Sequence, residues 1–539
     1  MGLTERIKNA LGNNKLTYYI IIALIGIILA PFFLRIISEN PKFNGPHYYE
    51  YYTSSILMAE AIKSLDFKSL IYLYAGSYCD KMIFLLRIPV MLIFGYSPTL
   101  FVFTNYIVNI ILLLFLYNAM LKFERTKEEN ILNIEEPEKT ALFFILFIMA
   151  SYFFLELQLS FYIDLTYFLL CALFLIYLCL FNNDCTKNNI TLAIIIFLMM
   201  MAKNTSYILF PIFFAMSAIH FLITKKEKKW QYLKRLAIIF TAGTALYLLI
   251  ATGFSPGLIN MELSRGYTMS GSPDLIYYEG MMPKIIHFAY AIIKRGIEIN
   301  DYAFKKFSSA WLSVLVYIAA TYYAIKGKNR FILYLFICSE IFLLFFFNIK
   351  GHRYELRLLT PMYFIYFYMF YFLGTDILRK IFKKNLWTAA AVLIILLGVI
   401  NMSFLIKNSF SGEFKTYYLR YAVGAVELVP ENIKFNSVVY IPYDANLIQD
   451  YFADLIDYVM EEKIAKDSAV YQRMASLCKF EKRFCYKVIG RSEYKENKDK
   501  IDYAMEYHPE NLPFNYSVLN SAESVIEETA YFVEVIKQP

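Results

Sequence analysis

Apolar runs about as long as a bilayer core is thick alternate with short polar connections over residues 1–406. They predict eleven membrane-spanning helices at roughly 16–36, 98–120, 140–156, 162–181, 189–203, 205–224, 235–254, 308–325, 331–349, 357–377 and 386–406. The first, "LTYYIIIALIGIILAPFFLRI", is too long for a signal-peptide core and has no small-residue cleavage site, so it reads as a retained helix. "MMMAKNTSYILFP" joins two spans with almost no loop.

Between spans one and two the pattern changes. "SSILMAEAIKSLDF" and "KMIFLLRIPVMLIFGYS" are apolar on one side but interrupted by Lys81, Arg87 and Pro89. This suits helices lying in the membrane interface better than helices crossing it. Past residue 407 the long runs stop. "NSVVYIPYD" reads as a buried strand, "DANLIQDYFADLIDYVMEEK" as an amphipathic helix and "YFVEVIK" as a closing strand. The expected architecture is a polytopic α-helical membrane domain over 1–406 and a small extracytoplasmic α/β domain over 407–539.

Composition agrees with this pattern: 58% of the 539 residues are hydrophobic and only 18% are charged, too few to cover a soluble protein of this length. The net charge of +8 gathers in "TKKEKKWQYLKR", "KGKNR" and "RKIFKKN". Such basic short connections mark the cytoplasmic side. They orient the chain and argue against a nucleic-acid partner, since no basic-aromatic face accompanies them. With the N-terminus inside, segments 37–97, 255–307 and the tail fall outside a cytoplasmic membrane.

Charges at membrane depth are costly and raise a functional question. Asp164 opens the fourth span, Lys203 ends the fifth, and "NIKGHRYELRLLTP" sets His352, Arg353 and Arg357 at an outer mouth beside Lys350 and Glu355. Singly, each could snorkel or pair with a neighbour. By topology they share the outer face with "NGPHYYEYYTSS", which surrounds Glu50 with His47 and four tyrosines. A hollow that combines carboxylates with fixed cations suits a phosphate-bearing substrate, because Arg binds phosphate bidentately and Lys as a point charge. The other reading of the Glu50 segment is an aromatic interfacial belt around a solvated carboxylate. "MELSRGYTMSGSPDLIYYEGMMP", with Arg265 and Tyr267, reads as a mobile substrate loop.

The order of these features resembles the C-type (GT-C) superfamily of membrane glycosyltransferases. An acidic first outer loop, interfacial helices, "FGYS" before the second span, a carboxylate opening the fourth, "AKNTSYILFP", "RYELRLLTPMYF" and an exported tail follow one another. The branch it most resembles holds the protein O-mannosyltransferases and lipid A aminoarabinose transferases. The resemblance implies transfer of a sugar, with inversion, from a polyprenyl-phosphate donor to an extracytoplasmic acceptor, which could be protein, lipid or glycan. It implies a base in the first outer loop, where the family typically has Asp. Here Glu50 takes that position, with His47 as the alternative, and Asp164 joins the catalytic set. Lys81, Lys203, His352, Arg353 and Arg357 would hold the donor phosphate; Lys81 keeps the place of the family's "KPPL" lysine without its prolines.

The competing class is a transporter or flippase of a lipid-linked or small polar substrate, which would also place charges among helices. Paired halves with matching broken helices would favour that class, and the sequence shows no internal repeat. No zinc-ligand spacing occurs. A divalent metal held by Glu50, Asp164 and neighbouring acids stays open, and so does a Cys478–Cys485 disulfide against two free thiols.

Overall fold

The structure, a computed structural model, describes residues 14–39, 48–76, 81–126, 136–159, 163–181, 186–203, 206–224, 228–252, 360–382 and 385–410. In the tail it describes 430, 432–434, 437–442, 469–477, 486–489, 491, 494–506, 508–523 and 529–536. The helices are α1 (Asn14–Glu39), α2 (Tyr48–Lys63), α3 (Phe67–Gly76), α4 (Lys81–Phe94), α5 (Pro98–Thr126), α6 (Pro137–Ala150) and α7 (Tyr152–Leu157). They continue with α8 (Asp164–Cys179), α9 (Thr186–Ala202), α10 (Ser206–Thr224), α11 (Lys229–Thr252), α12 (Thr360–Phe382) and α13 (Leu386–Phe410). The tail adds β1 (Ser437–Tyr440), α14 (Ala469–Leu477), β2 (Tyr486–Ile489), β3 (Tyr503–Glu506), β4 (Tyr516–Glu523) and β5 (Thr529–Val535).

Four of these helices are long and apolar enough to cross a membrane, over Leu16–Ser38, Pro98–Arg125, Lys229–Ala251 and Leu386–Lys407. The expected spans at 308–325 and 331–349, and the expected tail helix at 444–463, lie outside the described residues. The chain divides into two compact units, Met1–Arg35 with Asn105–Leu405, and Ile36–Thr104 with Ile406–Pro539.

In the first unit α8 is the central element: every side chain from Asp164 to Leu178 is buried, as expected of a helix that is apolar all round. It packs against α9 and α12, while α11 packs on α9 and α10. The α9–α11 approach depends on Gly243, where a Cβ would come within 2.8 Å of the Ala193 carbonyl oxygen. Backbone cannot yield there, so only glycine lets the helices approach this closely. Phe144 meets Phe364, Tyr368 and Tyr371 edge-on, joining α6 to α12.

The expected span at 140–156 is broken. Ser151 has extended backbone (φ −70°, ψ 145°), its Oγ accepts from the Phe154 N–H and donates to the Ile148 carbonyl, and α7 starts anew behind it. The Ala150 carbonyl left over at the break accepts from Asn401 Nδ2 at 2.8 Å. A buried backbone acceptor among apolar helices needs such a partner.

The second unit combines the first loop with the tail. Its sheet has strand order β2-β1-β3-β5-β4. β1 runs parallel to β2 and β3, and β5 antiparallel to β3 and β4. Tyr440, Ile489, Ile501, Ala504 and Val533 form its core. Helix α2 departs from the one-sided pattern expected of an interfacial helix: all its side chains from Tyr52 to Ala61 are buried, because α3, α4 and α14 each pack on it. The exposed apolar side chains lie nearby instead, at Leu65, Phe67 and Ile71 and at Leu85, Ile93 and Phe94. Asp66 caps α3 by accepting from the Ser69 N–H and hydroxyl. Gly95, at φ +83°, ends α4 in the left-handed conformation that glycine adopts without penalty.

Candidate functional site

In the first unit Asp164 is the first residue of α8 and Lys203 directly follows α9. Lys203 Nζ donates to Asp164 Oδ1, with both side chains less than a tenth exposed. An acid in a first helical turn is favoured by the helix dipole. A buried cation persists because its carboxylate partner compensates for lost water. The sequence flagged both residues by their charge; their pairing across the helix break is new.

Around the pair lies a polar scaffold that the sequence reading missed. Thr166 Oγ1 donates to Asn109 Oδ1 at 2.7 Å, and Asn109 Nδ2 donates to Gln158 Oε1 at 3.1 Å. This ties the start of α8 to α5 and to the end of α7. On the other side Tyr167 reaches Ser206. Amide and hydroxyl side chains within apolar runs, such as Asn109 in "TNYIVNIILL", were the available signal.

In the second unit Glu50 lies in the first turn of α2 and Lys81 opens α4. Lys81 is buried, donates to the Tyr74 carbonyl and sits 5.1 Å from the Tyr74 ring centroid. Arg87, fully buried, stacks its guanidinium 3.9 Å from the Phe101 ring centroid. At the far end of α2, Glu60 accepts from Lys63 Nζ at 3.0 Å, from Arg473 Nη1 of α14 at 3.0 Å, and from the Tyr96 hydroxyl. Burial pushes the Glu60 carboxyl up, but the hydrogen bonds from Tyr96, Lys63 and Arg473 outweigh it and leave the group below the usual carboxylate range. Burial, and then the bond to Glu60, push the Tyr96 phenol well up, so it stays a donor.

Glu60 therefore anchors the tail to the first loop. Glu60→Gln is expected to lower stability by about 1–3 kcal/mol at pH 7, the usual range for hydrogen bonds to a charged group. Because the folded-state pKa is depressed, that contribution is complete above the ordinary glutamate value, near ~4.3. It disappears as pH falls through the lower folded value. Melting curves of wild type and variant should thus converge in strong acid; a gap independent of pH would rule out this assignment.

His47, Arg265, Tyr267, His352, Arg353 and Arg357 lie outside the described residues, as do Cys478 and Cys485. Among the described residues no three His, Cys, Asp or Glu side chains gather as a metal site needs.

No family model matches the sequence, and no curated protein matches it. Among solved structures, the chain is similar to ArnT from Cupriavidus metallidurans bound to undecaprenyl phosphate, with 10% identity and a TM-score of 0.54 over 95% of this chain and 97% of that one. The apo ArnT structure from the same organism aligns with 9% identity and a TM-score of 0.49 over 89% and 93% of the two chains. The architecture expected from the order of motifs is present: this chain is a helical membrane protein whose fold is similar to that of ArnT.

Proposed function

We propose that this protein is a membrane glycosyltransferase that moves a sugar from a polyprenyl-phosphate donor to an acceptor outside the cytoplasm, with inversion at the anomeric carbon. Fold alone does not carry this reading, since one fold can host several chemistries. The observation that carries it is the buried Lys203–Asp164 pair, set at a helix break in a chain whose fold is that of a protein solved with undecaprenyl phosphate.

The chemistry follows from the bond to be broken. Cleavage of the bond between C1 of the sugar and the phosphate oxygen leaves a phosphate that needs charge stabilisation more than protonation. A fixed ammonium supplies that in a site shielded from water. Lys203 is assigned this role, with Asp164 holding it in place. Lys81, His352, Arg353 and Arg357 are assigned to the same phosphate, and Arg265 and Tyr267 to a substrate loop. The acceptor hydroxyl must lose a proton as it attacks C1 from the opposite face, and Glu50 is assigned as that base, with His47 as the alternative. The exposed apolar residues of α3 and α4 suit contact with the membrane interface. Eleven spans, a membrane domain over 1–406 and an extracytoplasmic tail over 407–539 complete the proposal.

The test is incubation of purified protein with labelled polyprenyl-phosphate sugars and cell-envelope fractions. Label should move to an envelope component while free polyprenyl phosphate accumulates in equal amount. If no polyprenyl-phosphate sugar is consumed, yet reconstituted vesicles translocate one, the protein is a flippase instead.

A further inference from the structure

We infer that Tyr167 and Ser206 are positioning residues that hold Lys203 at the break between α9 and α10; the consequence for donor use rests on the proposed function. Lys203 is carried on a segment fastened at both ends. Its own N–H donates to the Met199 carbonyl at 3.0 Å, closing the last turn of α9, and the Ser206 N–H donates to the Lys203 carbonyl at 3.1 Å, opening α10. The Ser206 hydroxyl also donates to the Met199 carbonyl at 2.9 Å. A serine hydroxyl has one proton. When that proton goes to Met199, Ser206 Oγ accepts from the Tyr167 hydroxyl across their 3.0 Å contact, in which either oxygen can be the donor. Tyr167 on α8 and the Met199 carbonyl on α9 thus both hold the Ser206 side chain.

Tyr167 also acts on Lys203 directly. It lies three residues after Asp164 on α8, hence on the same helix face, and its ring centroid is 5.8 Å from Lys203 Nζ. That is within the range of a cation–π contact. One face of α8 thus gives the ammonium a carboxylate and a ring, and gives the segment bearing that ammonium a hydroxyl. Tyr167 and Ser206 are both fully buried.

The experiment compares Tyr167→Phe, Ser206→Ala and Ser206→Thr with wild type in the full chain, by two readouts. In the first, amine-reactive labelling of Lys203 is quantified by mass spectrometry. Labelling should rise severalfold in Tyr167→Phe and Ser206→Ala and return to the wild-type level in Ser206→Thr, with labelling of exposed lysines and the melting temperature little changed. Unchanged labelling in both of the first two variants, or a rise matched at every lysine, would overturn the inference. In the second, binding of undecaprenyl phosphate is measured. Tyr167→Phe and Ser206→Ala should weaken it about 5- to 10-fold, and Lys203→Met should weaken it further. If Lys203→Met binds undecaprenyl phosphate as tightly as wild type, Lys203 is not the donor ligand, and the labelling result still decides the positioning role.

Discussion

Glu50→Gln is expected to reduce sugar transfer by about 10²- to 10⁴-fold, the usual contribution of a positioned general base, while leaving the protein folded. Gln keeps the shape of the side chain and removes its ability to take a proton. Glu50 sits in the first turn of α2, where a negative charge is worth only about 0.3–1 kcal/mol through the helix dipole. The helix itself is held by its long buried stretch from Tyr52 to Ala61 and by Glu60 at its other end. Loss of activity through unfolding is therefore not expected, and an unchanged melting temperature would check this. The pH–rate profile separates the two candidate bases. A carboxylate base gives an acid limb near its own pKa, about 4–5, and a histidine base gives one near ~6.5. Full activity of Glu50→Gln, with an acid limb in the histidine range, would transfer the role to His47; full activity with no such limb would leave Glu50 a solvated member of an aromatic belt.

The parts of the fold that were legible were those set by composition alone. The runs that became α1, α5, α11 and α13 are long and strongly apolar, and no tertiary contact is needed to foresee them. Ser151 was not legible as a break, because serine is tolerated inside membrane helices and only its bonds to Ile148 and Phe154 reveal the cap. The buried surface of α2 was hidden for a different reason: one of its packing partners, α14, comes from the far end of the chain. In the tail, β1 and β5 were visible as apolar strands, whereas β2 and β3, four residues each like β1, lie in more polar stretches and carry Lys487 and Glu506.

The same division holds for the site. Asp164 and Lys203 each stood out because a charge in an apolar run demands a reason, but 39 residues separate them and nothing local announces the pair. Glu60 with Lys63 looks like an ordinary exposed i,i+3 pair on a helix surface. Only Arg473, 413 residues away, and Tyr96 turn it into a buried anchor.

That long-range pairing sets the last expected result. Lys203→Met alone should cost about 3–5 kcal/mol of stability, because it leaves Asp164 buried without its cation. Asp164→Asn alone should cost a similar amount by stranding the ammonium. The double variant Asp164→Asn, Lys203→Met removes both charges, and replacing a buried pair by neutral groups is often close to neutral. Its stability loss should therefore be well below the sum of the two single losses, the non-additivity expected of groups in contact. Sugar transfer should behave differently. The double variant should regain stability without regaining activity, since no ammonium remains to meet the leaving phosphate. Lys203→Arg should also stay impaired, because a planar guanidinium does not reproduce a compact point charge. A double variant that folds and transfers sugar at the wild-type rate would make the pair a purely structural bond between α8 and the end of α9, and the donor phosphate would then need another cation.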